Sequence, residues 1–110
     1  MEIKQIFDKG ILEISIYGDL DASSAIQLDE VMKNAMAENK NKIFIDCKQL
    51  HYISSAGLGV FISYLEDIKN NNGNFVFFNM SDKVFNVFQI LGLDKILTIV
   101  KTKQEAAYFL

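Results

Sequence analysis

Apolar and polar residues alternate along "ILEISIYG" (11–18), a period of two that marks a strand with one buried face. "EIKQIF" (2–7) precedes it, and the turn signal "DKG" between them predicts a hairpin. The period then lengthens. In "DLDASSAIQLDEVMKNAMAENK" (19–40), Ala25, Leu28, Met32, Ala35 and Met36 fall on one helical face, with Asp21 or Ser23 available as the N-cap. "KIFIDC" (42–47) fits a short strand of a buried sheet. After Tyr52 a second helical stripe appears, formed by Leu58, Phe61, Ile62, Leu65 and Ile68, and "NNNG" stops that helix near Asn70. "NFVFFN" (74–79) reads as the next strand. "SDKVFNVFQILG" (81–92) reads as a helix capped by Ser81 or Asp82 and ended by Gly92. "KILTIV" (95–100) is expected as the last strand and "TKQEAAYFL" (102–110) as a closing helix.

Two hairpin strands followed by alternating helix and strand predict an α/β domain. Its sheet, of about five strands with about four helices, is mixed and becomes parallel where each strand returns through a helix. With 110 residues the chain suits one domain, residues 1–110, with one hydrophobic core. Nine Phe and four Tyr in a chain that is half apolar argue against disorder. No apolar run reaches the roughly 18 residues of a membrane span, and "MEIKQIFDKG" lacks the regions of a secretory signal. A net charge of −3 argues against non-specific nucleic-acid binding. A lone Cys47 and a lone His51 leave no intramolecular disulfide and no Cys/His zinc site. A reduced, cytoplasmic domain without metal or cofactor is the expectation.

The unusual stretch is "HYISSAGLGVF" (51–61), where two serines and two glycines stand between a strand and a helix. A helix starting near Ser55 has first N–H groups without intrahelical partners, at the positive end of its dipole. Ser54 or Ser55 can cap them, and on local sequence alone capping is the simpler reading. One serine suffices for a cap, however, and Gly57 and Gly59 each weaken the first turns by up to about 1 kcal/mol relative to Ala. Such glycines make sense where a ligand, a partner protein or an adjacent strand approaches the backbone closely. A hydroxyl at a helix N-terminus is also a favourable place to attach phosphate, which would bring about −1.5 to −2 of charge to free backbone donors.

Other chemistries fit less well. The Gly-x-Ser-x-Gly elbow of a hydrolase lacks its first glycine, since Ile53 stands two residues before Ser55, and His51 is the sole candidate base. No Lys follows either glycine, so a phosphate-binding loop of the Gly-x-x-x-x-Gly-Lys type is absent. Asp19, Asp21 and Asp46 fall at expected strand ends and could converge on a metal-dependent phospho-aspartate site, though Asp is also an ordinary turn and cap residue. Cys47, Phe75 to Phe78, Phe85 and Phe88 are expected in the core, and His51 at a partly exposed strand end.

Three segments in order carry a resemblance: "GDLDASSA" (18–25), "YISSAGLGVF" preceded by "IFIDCKQL", and "FNMSDKVFNVFQILGLDKIL" (78–97). Together they resemble the STAS domain, in particular the stand-alone bacterial anti-sigma factor antagonist, over nearly the whole chain. The resemblance implies a binding protein, not an enzyme, that works by partner switching. Unphosphorylated antagonist binds an anti-sigma factor serine kinase and frees a sigma factor; phosphorylation ends that binding and a PPM-type serine phosphatase restores it. In the family pattern Asp-Ser-Ser/Ala-Gly-Leu-Gly the serine after Asp is the acceptor. By position this makes Ser55 the phosphoacceptor, followed by Ala56, Gly57, Leu58 and Gly59, with Asp21 as the turn aspartate near it. Ser54 stands where the pattern has Asp. An apolar patch near Leu58, with Ala56 and the glycines, is expected to pack against the kinase. Related modules serve as adaptors in other partner-switching, transport or nucleotide-binding systems, the alternative expectation.

Overall fold

Lys9 and Gly10 both have positive φ, 52° and 80°, the geometry of a tight two-residue hairpin turn. In the computed structural model, which describes residues 1–109, this turn joins β1 (Glu2–Asp8) to β2 (Ile11–Leu20). Their antiparallel register runs unbroken from Glu2–Tyr17 to Asp8–Ile11. The chain continues through α1 (Ala22–Ala37), β3 (Lys42–Asp46), β4 (Leu50–Ile53), α2 (Ser55–Asn70), β5 (Asn74–Phe78), α3 (Asp82–Ile90), β6 (Thr98–Ile99) and α4 (Lys103–Ala106).

The main path of the sheet is β1-β2-β3-β5-β6, and every pairing after the hairpin is parallel. This is the mixed α/β sheet expected from the alternation of helices and strands. β2 is long enough to serve two successive neighbours. Leu12 to Ser15 pair with Ile43 to Asp46 of β3, and Gly18 to Leu20 pair with β4. The register slips between Gly18 and Asp19, and Gly18 takes a φ of 99° there, a conformation suited to glycine. β4 is a sixth strand that the sequence does not announce. Only its first and last residues are buried, so it lacks the alternation of a half-buried strand.

Side chains divide the molecule into two unequal layers. Leu12, Ile14, Ile16, Phe75 and Phe77 join residues of α1, α2 and α3 in the main core. There Phe61 meets Phe77 edge to face, with centroids 4.9 Å apart. On the other face Phe44, Val76 and Phe78 are covered by Ala106 of α4. Alternate residues of β5 therefore enter opposite cores, which explains its uninterrupted run of buried apolar side chains.

The end of the chain departs from expectation. Most of "KILTIV" is not strand. Gly92, at φ 73°, ends α3 and leads into a 3-10 turn at Leu93–Lys95. Leu97 donates its N–H to the Leu93 carbonyl at 2.8 Å and both side chains are buried, so helical spacing wins until Thr98. The expected closing helix is a single turn, α4, followed by a 3-10 turn at Ala107–Phe109; Leu110 lies outside the described residues. Two apolar residues are less buried than their stripes suggest: Ile62 is exposed and Phe85 only half-buried.

Candidate functional site

β2 and β4 end together. Leu20 stands opposite Ile53 in the parallel register, and the Ser54 N–H donates to the Leu20 carbonyl at 2.9 Å. The next residue on each strand, Asp21 and Ser54, is extended and serves as an N-cap, Asp21 for α1 and Ser54 for α2. Two helices thus begin side by side at the carboxyl end of the sheet. In open α/β sheets this is the end where ligands and partners are usually met.

At the start of α2 the two serines take different roles. The Gly57 N–H donates to Ser54 Oγ at 3.2 Å, and the Leu58 N–H donates to the Ser54 carbonyl at 3.0 Å. Ser54 is therefore the cap. Ser55 and Ala56 are exposed in the first turn, where backbone N–H groups have no intrahelical acceptor. Among the described residues the Ser55 hydroxyl has no hydrogen-bond partner.

The glycines divide as well. A Cβ on Gly57 would lie 2.7 Å from Leu20 Cγ and 3.2 Å from Ile53 Cγ1, so the body pressing on this glycine is the protein's own sheet. A Cβ on Gly59 would meet nothing within 4 Å. Leu58 is 4 % exposed and belongs to the main core. This corrects the expectation of an apolar docking patch at Leu58: its side chain is turned into the core, while Ser55, Ala56 and Gly59 stay exposed. What α2 offers to solvent at its start is small and nearly without side chain.

Asp21 is held by a dense local network. Its carboxylate accepts from the Ser24 N–H at 2.9 Å, the Ser23 hydroxyl at 2.8 Å and the Ser24 hydroxyl at 2.9 Å. Its own N–H donates to Ser24 Oγ at 2.8 Å, completing a reciprocal capping box. These donors, the Ser24 N–H first and the two hydroxyls next, pull the Asp21 pKa down to about 2. Ser24 is a member of this site that the sequence reading misses; the Asp-x-x-Ser spacing is its only signal.

The other candidates lie apart. The Asp46 carboxylate accepts from the Lys48 N–H and from Asn79 Nδ2, while Asp19 contributes its backbone carbonyl to Ser24 Oγ. Among the described residues no three His, Cys, Asp or Glu side chains are placed to hold a metal ion. His51 is exposed on β4. Cys47 is fully buried, and burial pushes its thiol pKa up, out of the reactive range. A cavity of about 510 Å³ lies elsewhere, lined by Met80, Asp82, Phe85, Ile99, Val100, Lys101 and Glu105. No helix among the described residues is long and apolar enough to cross a membrane.

A mixed sheet with helices mainly on one face and two caps at one strand end defines an α/β domain whose candidate site is a surface, not an enclosed pocket. The chain belongs to the STAS domain family, whose model matches residues 2–106. It is 30% identical over 105 residues to the anti-sigma-B factor antagonist of Listeria monocytogenes, covering 96% of this chain and 91% of that protein. Among solved structures it resembles a candidate anti-sigma factor antagonist from Thermotoga maritima, with a TM-score of 0.90 and 24% identity over 96% of this chain and 92% of the other. It also resembles the phosphorylated form of the Bacillus cell fate determinant SpoIIAA, with a TM-score of 0.75 and 20% identity over 96% of each chain. The two structural likenesses speak to the fold.

Proposed function

We propose that this protein is a cytoplasmic anti-sigma factor antagonist, its chain 1–110 acting as one STAS domain. Unphosphorylated, it binds an anti-sigma factor serine kinase and so releases a sigma factor. Phosphorylation at Ser55 ends the complex, and a PPM-type serine phosphatase restores it. The observation that carries this reading is the division of labour between the serines: Ser54 caps the helix, leaving Ser55 with an exposed, unengaged hydroxyl at N1.

The physics supports a switch of this kind. A phosphate on Ser55 would sit beside free backbone N–H groups at the positive end of α2, so it need not unfold the helix. It would change the docking surface instead. Ala56 and Gly59 let a partner approach the backbone, and burying a dianion there without a cation costs several kcal/mol, on the order of a thousandfold in affinity. Asp21 begins the neighbouring helix and is ionised at neutral pH, which adds to the negative field. Ser54, Gly57 and Leu58 support the site from beneath. The kinase supplies ATP and the catalysis; this chain is its substrate and ligand.

The test is binding to the kinase captured from the same cells, with and without ATP. Wild type is expected to acquire one phosphate, mapped to Ser55, and then dissociate. Ser55→Ala is expected to remain bound in ATP, and Ser55→Asp to bind weakly without it. Equal binding by both variants, or a stable partner with no kinase activity and no phosphate on Ser55, refutes the switch and favours a constitutive adaptor.

A further inference from the structure

β1 forms the free edge of the sheet. Its pairing with β2 is regular, and Ile6 and Phe7 are 62 % and 53 % exposed. A regular, exposed edge is a template for another strand. The hairpin decides which backbone groups are available. Asp8 and Ile11 flank the two-residue turn as its closing hydrogen-bonded pair, so the even-numbered residues of β1 direct their N–H and C=O toward β2. Ile3, Gln5 and Phe7 direct theirs outward. The side chains of Lys4, Ile6 and Asp8 lie on the sheet face opposite α1, α2 and α3, because Ile3, Gln5 and Phe7 pair with core residues Ile16, Ile14 and Leu12. Among the described residues neither Lys4 nor Asp8 has an ion-pair partner; the Lys4 ammonium rests over the Tyr17 ring, 4.9 Å from its centre.

We infer that β1 is a self-association edge: two copies of this chain pair β1 with β1, antiparallel, about a two-fold axis at Ile6. In that register Gln5 faces Phe7 of the second copy on both sides of the axis, and the outward backbone groups of both are matched. Ile6 meets Ile6 of the second copy in a non-hydrogen-bonded pair, where side chains come closest. Lys4 meets Asp8 of the second copy, and by symmetry Asp8 meets Lys4. Charge selects this register over its neighbours. A slip by one pair in one direction sets Glu2 against Asp8, and a slip the other way leaves Ile6 against Asp8. A shift that changes the parity opposes outward backbone groups to inward ones. The arrangement uses neither Ser55 nor the start of α2.

Sedimentation velocity over a concentration series tests this on the full chain. A dimer that grows with concentration is expected. Lys4→Glu and Asp8→Lys should each raise its dissociation constant about tenfold, and the two together should restore it, since the charges again match across the axis. Amide exchange gives a second readout: the Gln5 and Phe7 amides should slow as the dimer forms. A monomer at every concentration overturns the inference. So does a dimer indifferent to either reversal, one the double variant does not restore, or one that leaves those two amides unprotected. Kinase binding by these variants, measured separately, keeps the outcome distinct from that of the Ser55 switch.

Discussion

Gly57 in the first turn of α2 lies directly against Leu20 at the end of β2, so close that a Cβ would stand 2.7 Å from Leu20 Cγ and 2.8 Å from Leu20 Cδ2. Leu20 is fully buried and cannot swing aside. Gly57→Ala is therefore expected to destabilise the fold by about 1–3 kcal/mol, the usual cost of overpacking. Gly59→Ala, in open space within the same helix, should instead stabilise it by about 0.5–1 kcal/mol through helix propensity. Urea unfolding of both variants checks the contrast. In a Leu20→Ala background, Gly57→Ala should lose most of its cost, because the added methyl then enters vacated space.

The two serines of the same junction should separate by stability alone. Ser54→Ala removes the acceptor of the Gly57 N–H and is expected to cost about 1 kcal/mol, as losses of an N-cap do. Ser55→Ala removes a hydroxyl that has no hydrogen-bond partner among the described residues, and should stay within about 0.5 kcal/mol of wild type. Thermal or urea unfolding of the pair measures this without any partner. A large loss in Ser55→Ala would show that its hydroxyl carries structural weight, and would weaken its assignment as a free acceptor.

The sequence made the frame of this molecule legible and left its junctions open. The hairpin and the three helices follow from period and turn residues, and the strand at 74–79 from an unbroken apolar run that is buried on both faces of the sheet. β4 was not legible: four residues with burial only at the ends carry no period, and its pairing depends on β2 extending past β3. Nor could the sequence rank Ser54 against Ser55 or Gly57 against Gly59. Each pair has the same side chain, and the difference lies in what stands behind it: Leu20 and Ile53 behind Gly57, nothing behind Gly59. Leu58 follows the apolar stripe it shares with Phe61 and Ile68 into the core, and not the docking role that the family resemblance implies for it.

Asp21 should leave a mark in the acid range. Its pKa is lowered to about 2 from an ordinary 3.8, so the folded state releases this proton more readily than the unfolded chain. The stabilisation is fully present above about pH 4 and is lost as pH falls through 2. Asp21→Asn should flatten the acid limb of the stability profile within that window and leave the profile near pH 7 parallel to wild type. Carbon-detected NMR titration of the Asp21 carboxyl checks the midpoint directly; an ordinary value near 3.8 would mean the serine network does not persist in solution.

Tyr64 of α2 and Asp29 of α1 make a polar contact between the two helices that titrates at the opposite end of the scale. The Tyr64 hydroxyl donates to Asp29 Oδ1 at 2.8 Å, across the longest helix pair in the fold. Burial first, then this hydrogen bond and the Asp29 charge, raise the Tyr64 pKa to about 12. A raised tyrosine pKa means the folded state holds its proton more tightly than the unfolded one. The resulting stability is present below about pH 10 and is lost as pH rises toward 12. Tyr64→Phe should cost about 1 kcal/mol at neutral pH, since it leaves the Asp29 carboxylate without this donor while keeping the ring in place. It should also remove the late phenolate transition from an ultraviolet absorbance titration. An unchanged stability in Tyr64→Phe would mean that apolar packing alone sets the angle between α1 and α2, and with it the spacing of the Asp21 and Ser54 caps.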